Sequence, residues 1–217
     1  MWKEKTLLLW DLDGTLTDPM EGITRSVQAA LRAFGIDEPD RRRLCPFIGP
    51  PLLDSFREFY GFSEEEAARA VVKYREYFAE TGIFENTLYP GVPHVLETLA
   101  ARGKTHVLAT SKPTVFAERI LTHFGLSGFF TQTIGSNLDG TRTAKAEVVA
   151  HALAQFPDTD ASAAVMIGDR HFDMEGAHAA GIDAVGVTYG YGSREELEAS
   201  GAAALAASPE ELLALLL

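Results

Sequence analysis

The sequence predicts an α/β fold, a doubly wound parallel sheet interrupted near its start by an inserted all-helical segment. Three observations carry this expectation. An apolar run, Thr6-Leu7-Leu8-Leu9-Trp10, leads directly into Asp11-Leu12-Asp13-Gly14-Thr15. A short unbroken run closed by a turn signal reads as a strand buried on both faces. From Tyr89-Pro90-Gly91 onward, strand-like and helix-like stretches alternate, the pattern of parallel strands joined by crossover helices. Between these regions, residues 17 to 86 show helical periodicity and no strand able to join a sheet.

The elements follow in order. From Met20 to Phe34, the residues Ile23, Val27, Ala30, Leu31 and Phe34 recur at helical spacing, and Gly35 suits the left-handed residue that closes a helix. Arg41-Arg42-Arg43 precedes Leu44 to Pro51, where Gly49-Pro50-Pro51 demands a loop because a residue before proline avoids helical geometry. Leu52–Tyr60 and Ser63–Glu80 read as two more helices, with Ser63 and Glu66 forming a capping box. Past Tyr89 the expected order is helix 92–102, strand 105–109, helix 113–124, strand 131–134, helix 143–155, strand 163–167, helix 174–180 and strand 183–187. A final short helix covers Pro209 to Leu217. The core domain is thus expected at 1–16 and 87–217, with the helical domain at 17–86.

Composition narrows the function classes. The 217 residues suffice for one large domain or a core carrying an insertion. A hydrophobic content of 46% with 23% charged residues suits a globular chain with a sizeable core. The formal net charge of −12 argues against nucleic acid or an anionic membrane as the main partner. It also obliges any anionic substrate to meet local cations or a metal. Cys45 stands alone, so no intramolecular disulfide forms, which suits a reducing compartment. Leu7 to Trp10 is too short for the apolar region of a signal peptide, and acids follow at once. No stretch approaches the length of a membrane span, and no basic residues flank the leucine-rich end. A soluble, cytoplasmic protein is expected.

In an open α/β sheet, ligands bind beyond the carboxyl ends of the strands, and the sequence concentrates its polar groups there. Strand 6–10 ends in Asp11 and Asp13, strand 105–109 in Thr110-Ser111-Lys112-Pro113, and strand 163–167 in Gly168-Asp169-Arg170-His171-Phe172-Asp173. Lys145 lies near the start of helix 143–155. With these three strands as neighbours, Asp11, Asp13, Asp169 and Asp173 share one crevice with Lys145 and a hydroxyl. Carboxylates so close repel one another, and Mg²⁺, which prefers oxygen ligands, relieves the repulsion. Gly14 permits a sharp turn, and its amide with that of Thr15 is expected to face an anion. Taken singly, Asp-Leu-Asp-Gly is equally an ordinary turn, Asp173 a helix cap and Lys145 a solvated lysine. Lys112 reads as either a phosphate-pocket lysine or a surface one. His94, His106, His123, His151 and His178 show no metal-ligand spacing.

Taken together and in order, these residues resemble the four motifs of the haloacid dehalogenase-like (HAD) hydrolase superfamily. Asp11 to Thr15 match the first motif, Thr110 with Ser111 the second, Lys145 the third, and Gly168-Asp169 through Asp173 the fourth. The helical insertion resembles the family's C1-type cap, and the likeness spans essentially the whole chain. Within the superfamily the chain is most similar to the phosphoglycolate phosphatase and 5′-nucleotidase branch. Thr110-Ser111-Lys112-Pro113, Asp139-Gly140-Thr141-Arg142 and Gly168-Asp169-Arg170 lean toward the 5′-nucleotidase-like subgroup.

The resemblance implies a Rossmann-like core and a Mg²⁺-dependent phosphatase. It implies Asp11 as the nucleophile that becomes an aspartyl phosphate, and Asp13 as the acid and then the base. Asp11, Asp13 through its carbonyl, and Asp169 would hold the metal, with Asp173 behind them holding a metal-bound water or Lys145. Gly14, Thr15, Thr110, Ser111 and Lys145 would bind the transferring phosphoryl group. The insertion would select the leaving group through Phe47 to Pro51, Ile48 and Gly49 above all, and through Arg75, beside Arg41, Arg42 and Arg43. The expected partner is a small phosphate monoester, and the expected state a monomer or weak homo-oligomer.

Other readings share these residues. A phosphomutase would keep the core and re-use the phosphate. A phospho-acceptor receiver module, not an enzyme, also takes phosphate on a strand-end aspartate, but Asp13 and the helical insertion count against it. A dehalogenase needs neither the Asp13 acid nor a metal. Nucleoside monophosphates, phosphoglycolate and other small monoesters all stand as candidate substrates.

Overall fold

The computed structural model of the protein describes residues 2–217; Met1, at the start of the expected core segment, lies outside them. The chain divides into two compact units, one running to Asp18 and resuming at Leu88–Leu217, the other Pro19–Thr87. In chain order, β1 (Leu7–Trp10) is followed by the short β2 (Thr17–Asp18). Then come α1 (Met20–Arg32), α2 (Leu52–Tyr60) and α3 (Glu64–Glu80), with a 3-10 segment over Arg41–Phe47. After β3 (Thr87–Leu88) follow α4 (Val92–Ala101), β4 (Thr105–Pro113), α5 (Thr114–His123), β5 (Phe130–Ser136) and α6 (Lys145–Leu153). The chain ends with β6 (Ala164–Gly168), α7 (His171–Ala179), β7 (Asp183–Val187), α8 (Arg194–Ala199), β8 (Ala204–Ala206) and α9 (Pro209–Leu216).

The first unit is built on a six-stranded sheet of order β5-β4-β1-β6-β7-β8, all pairs parallel. β1 lies between β4 and β6, with Leu7 opposite both Thr105 and Ala164. Its four residues are all buried, as an interior strand with helices on both faces requires. Leu7 and Leu9 pack toward Val148, Val149 and Ala152 of α6 and Met174 and Ala177 of α7. Alternation sends Leu8 and Trp10 to the other face, where Trp10 Nε1 donates to His106 Nδ1 at 2.9 Å. That bond makes Nδ1 the acceptor, so the neutral ring carries its proton on Nε2. Burial pushes the His106 pKa down to about 4.

The helical unit is held by rings. Phe47 meets Phe56 and Phe59 with centroids 4.9 and 5.3 Å apart, and Phe34 meets Phe62 at 4.8 Å. The capping box of Ser63 and Glu66 starts α3 as the sequence reading expects.

Three differences from expectation bear on the site. β4 extends to Pro113, so Thr110-Ser111-Lys112 are strand residues, not loop residues. The expected turn amides are used internally: Gly14 N donates to the Thr17 carbonyl at 2.7 Å and Thr15 N to the Leu12 carbonyl at 3.3 Å. They are therefore not presented to an anion, because so tight a turn consumes its own donors. Finally, α8 and β8 occupy 194–206, where the sequence reading had no element.

Candidate active site

The carboxyl ends of β1, β4 and β6 lie side by side, and each carries a charged group into the same place. Asp11 N continues the sheet ladder by donating to the Ile167 carbonyl at 2.9 Å, which fixes where the Asp11 side chain leaves β1. Lys145, the first residue of α6, sends Nζ between two acids, 2.8 Å from Asp11 Oδ1 and 2.9 Å from Asp173 Oδ1. The same ammonium donates to the Ala109 carbonyl at 3.1 Å. Asp173 Oδ2 accepts from Arg170 N at 3.1 Å. The capping and lysine-holding readings of Asp173 are thus both realised, one on each oxygen.

Asp13 faces a different cation. Its Oδ2 is 2.5 Å from Lys112 Nζ, and the lysine side chain is only 6% exposed. The surface reading of Lys112 is therefore set aside: the extension of β4 carries it inward. Thr110 is buried and its Oγ1 accepts from Lys112 N at 3.3 Å. Ser111 is half-buried, its carbonyl accepting from Ser136 Oγ at 2.8 Å. Asp169 Oδ2 accepts from Tyr191 N at 2.8 Å, and Thr15 Oγ1 lies 3.5 Å from Asp169 Oδ1. Thr15 thus touches Asp169.

The electrostatics follow from burial. Desolvation raises the Asp169 pKa well above the ordinary carboxylate range, and the neighbouring Asp173 and Asp11 add to it. Asp13 is raised by burial against the opposing pull of Lys112. Burial works against the Lys145 ammonium, but Asp11 and Asp173 outweigh it and raise its pKa.

A divalent cation fits this donor set. Asp11, Asp169 and Asp173, all buried, each offer an oxygen within 4.8 Å of the others. Asp13 Oδ1 is buried with no hydrogen-bond partner among the described residues. Only oxygen donors converge, which suits a hard ion such as Mg²⁺. Both Asp173 oxygens already serve Lys145 and Arg170, whereas Asp169 Oδ1 meets only the Thr15 hydroxyl at 3.5 Å and Asp11 is engaged by Lys145 through Oδ1.

The residues expected to select substrate lie in the helical unit. Ile48 is buried, Gly49 has φ +107°, and Phe47 is packed among its own unit's rings. Burial lowers the pKa of the half-buried Arg75. Arg41 pairs with Glu21 at 2.5 Å and Arg43 with Glu38 at 3.0 Å. The sequence reading missed the Tyr189–Gly192 segment after β7. Its signal was available: a glycine-rich stretch at the carboxyl end of a strand, where such folds place ligands.

Comparison with known proteins agrees with this geometry. The family model for haloacid dehalogenase-like hydrolases matches residues 8–187. A protein of Pseudomonas aeruginosa named 5′-nucleotidase is 53% identical over 195 residues, covering 88% of this chain and 86% of that protein. Tyrosine-protein kinase PtkA of Mycobacterium tuberculosis is 39% identical over 192 residues, 88% of this chain and 65% of that protein. A crystal structure from Clostridium acetobutylicum, described as a predicted phosphatase, superposes with a TM-score of 0.93 at 45% identity, covering 96% of each chain. The chain belongs to the haloacid dehalogenase-like hydrolases, in a branch that includes proteins named 5′-nucleotidase and phosphoglycolate phosphatase.

Proposed function

We propose that this phosphatase hydrolyses the monoester of a 5′-nucleotide, with Mg²⁺ bound by Asp11, Asp169 and the Asp13 carbonyl, through a phosphoaspartate at Asp11. The observation that carries the reading is the separation of the two acids of the first motif. Asp11 is held by Lys145 within the carboxylate cluster, while Asp13 is held by Lys112 outside it. Two acids kept apart by different partners suit two roles, nucleophile and proton carrier.

Asp11 attacks phosphorus; a bond from its carboxylate oxygen to phosphorus forms as the ester P–O bond breaks. Asp13 gives its proton to the departing alkoxide, and its raised pKa favours holding that proton beforehand. Asp13 then takes a proton from the water that attacks phosphorus, releasing phosphate and restoring Asp11. Lys145 would orient Asp11 and offset its charge, and the buried Thr110 hydroxyl would donate to the phosphoryl oxygens. Mg²⁺, when bound, neutralises the charge that builds on the transferring group. The identity to a 5′-nucleotidase across most of both chains favours nucleotides over phosphoglycolate.

The test is a panel of about fifty phosphate monoesters with Mg²⁺, ranked by kcat/KM. Nucleoside 5′-monophosphates should lead, and Asp11→Asn should abolish both turnover and the acid-stable phosphopeptide. Phosphoglycolate leading would move the chain to the neighbouring substrate class. Phosphate transferred to another hydroxyl of the sugar, with none released, would make it a mutase.

A further inference from the structure

The stretch after β7 reaches the site at one residue. Tyr191 N donates to Asp169 Oδ2 at 2.8 Å, and Tyr191 Oη donates to Asp18 Oδ1. Tyr189 Oη donates to the Thr15 carbonyl at 3.0 Å, and its ring meets Tyr89 edge-on with centroids 5.0 Å apart. The two glycines sit hard against the same aspartate. A Cβ on Gly190 would lie 2.3 Å from the Gly14 carbonyl oxygen and 2.5 Å from Asp169 Oδ2. A Cβ on Gly192 would lie 2.0 Å from the Asp169 carbonyl oxygen. Gly14 faces the carboxylate from another side: at φ +82°, its Cβ would lie 2.1 Å from Asp169 Oδ2.

We propose that Tyr189 to Gly192 is a positioning element that holds the Asp169 carboxylate in the one orientation that shares a metal with Asp11. Asp11 and Asp173 both repel that carboxylate, so an unconfined side chain would turn away from them. Gly14 and Gly190 wall the carboxylate on two sides, Gly192 presses on the Asp169 main-chain carbonyl, and the Tyr191 amide holds Oδ2, which together block the turn. Tyr189 acts on the opposite wall by fixing the Thr15 backbone, whose hydroxyl faces Asp169 Oδ1. This inference rests on the Mg²⁺ site proposed above and concerns residues that need not touch substrate.

Mg²⁺ binding, read by titration calorimetry and by the Tm shift of the protein without substrate, tests it. Gly190→Ala is expected to weaken Mg²⁺ binding about 10–100-fold, the usual cost of disturbing a residue that orients a metal ligand. Tyr189→Phe, which deletes one hydroxyl, is expected to weaken it about 3-fold while leaving the metal-free Tm near wild type. A merely structural element would lower the metal-free Tm and leave Mg²⁺ affinity unchanged, and that result overturns the proposal. If Gly190→Ala does not fold, wild-type affinity in Tyr189→Phe overturns it alone. A wild-type protein that takes up no Mg²⁺ refutes the metal site itself, an outcome distinct from normal binding with unaffected variants.

Discussion

In the helical unit, charged side chains pair at the surface: Lys73 with Glu76 at 2.8 Å, Arg25 with Glu21 at 2.6 Å, each side chain close to half exposed. In the sheet unit the pairs of Lys145 with Asp11 and Asp173 have similar lengths, but the lysine is 4% exposed and Asp173 1%. Distance alone would rank the two sets equal. Solvent separates them, because exposed pairs are screened and pay side-chain entropy, whereas a buried charge stripped of its partner has no water to turn to. The helical unit uses charge as coating over an aromatic interior; the sheet unit uses charge as its interior at one edge.

The comparison breaks first at Lys145. Lys145→Met should cost about 3–5 kcal/mol in metal-free protein, since it leaves Asp11 and Asp173 buried together with no cation between them. Chemical denaturation at neutral pH measures it, and a loss under about 1 kcal/mol would put this pair in the surface class. Phe56→Ala, fully buried in the helical unit, should cost about 3 kcal/mol by cavity formation. Amide exchange should show that loss in α2 and α3, with Mg²⁺ affinity of the sheet unit intact.

The next effect depends on pH. His106 protonates near 4 in the folded protein, against about 6.5 in an unfolded chain. Its folded pKa is depressed, so its stabilisation is full above 6.5 and is lost as pH falls between those values. His106→Asn offers Oδ1 to the Trp10 donor without a titrating ring. Its stability should fall less steeply across that window, by up to about 3 kcal/mol relative to wild type. Parallel curves for the two proteins would deny the assignment. Lys73→Ala should be the smallest change, within about 0.5 kcal/mol and vanishing in high salt.

Much of this was legible in the chain. β1 announces itself because a strand covered on both faces needs no polar residue until it ends, and Asp11 and Asp13 mark that end. α2 and α3 are equally plain, since Pro51 and Ser63 mark their starts. What escaped reading has physical causes. Lys112 looks the same in a loop or in a strand, and only the extension of β4 to Pro113 turns it inward. Ala204-Leu205-Ala206 is too short and too alanine-rich to show strand periodicity, and α8, which starts where the Ser193 side chain accepts from Glu196 N, is only six residues long. The hydrogen bond from Tyr191 N to Asp169 spans 22 positions along the chain, and no local pattern encodes it. The amides of Gly14 and Thr15 were misplaced because a turn's letters do not say which way its donors point.

Four carboxylates, Asp11, Asp13, Asp169 and Asp173, are buried with two ammonium groups, Lys112 and Lys145. With Asp13 holding its proton for the leaving group and the other five ionised, one negative charge is left over, and one Mg²⁺ at the proposed site turns it into one positive charge. A phosphate dianion entering before the metal meets net repulsion, and entering after it meets net attraction. Metal and phosphate are therefore thermodynamically coupled, and reciprocity requires each to tighten the other by the same factor. Inorganic phosphate should sharpen Mg²⁺ binding in calorimetry as strongly as Mg²⁺ sharpens phosphate binding. On the proposed Mg²⁺ site, the free Mg²⁺ level would set the apparent substrate affinity of the protein, making its working KM a property of the solution as much as of the fold.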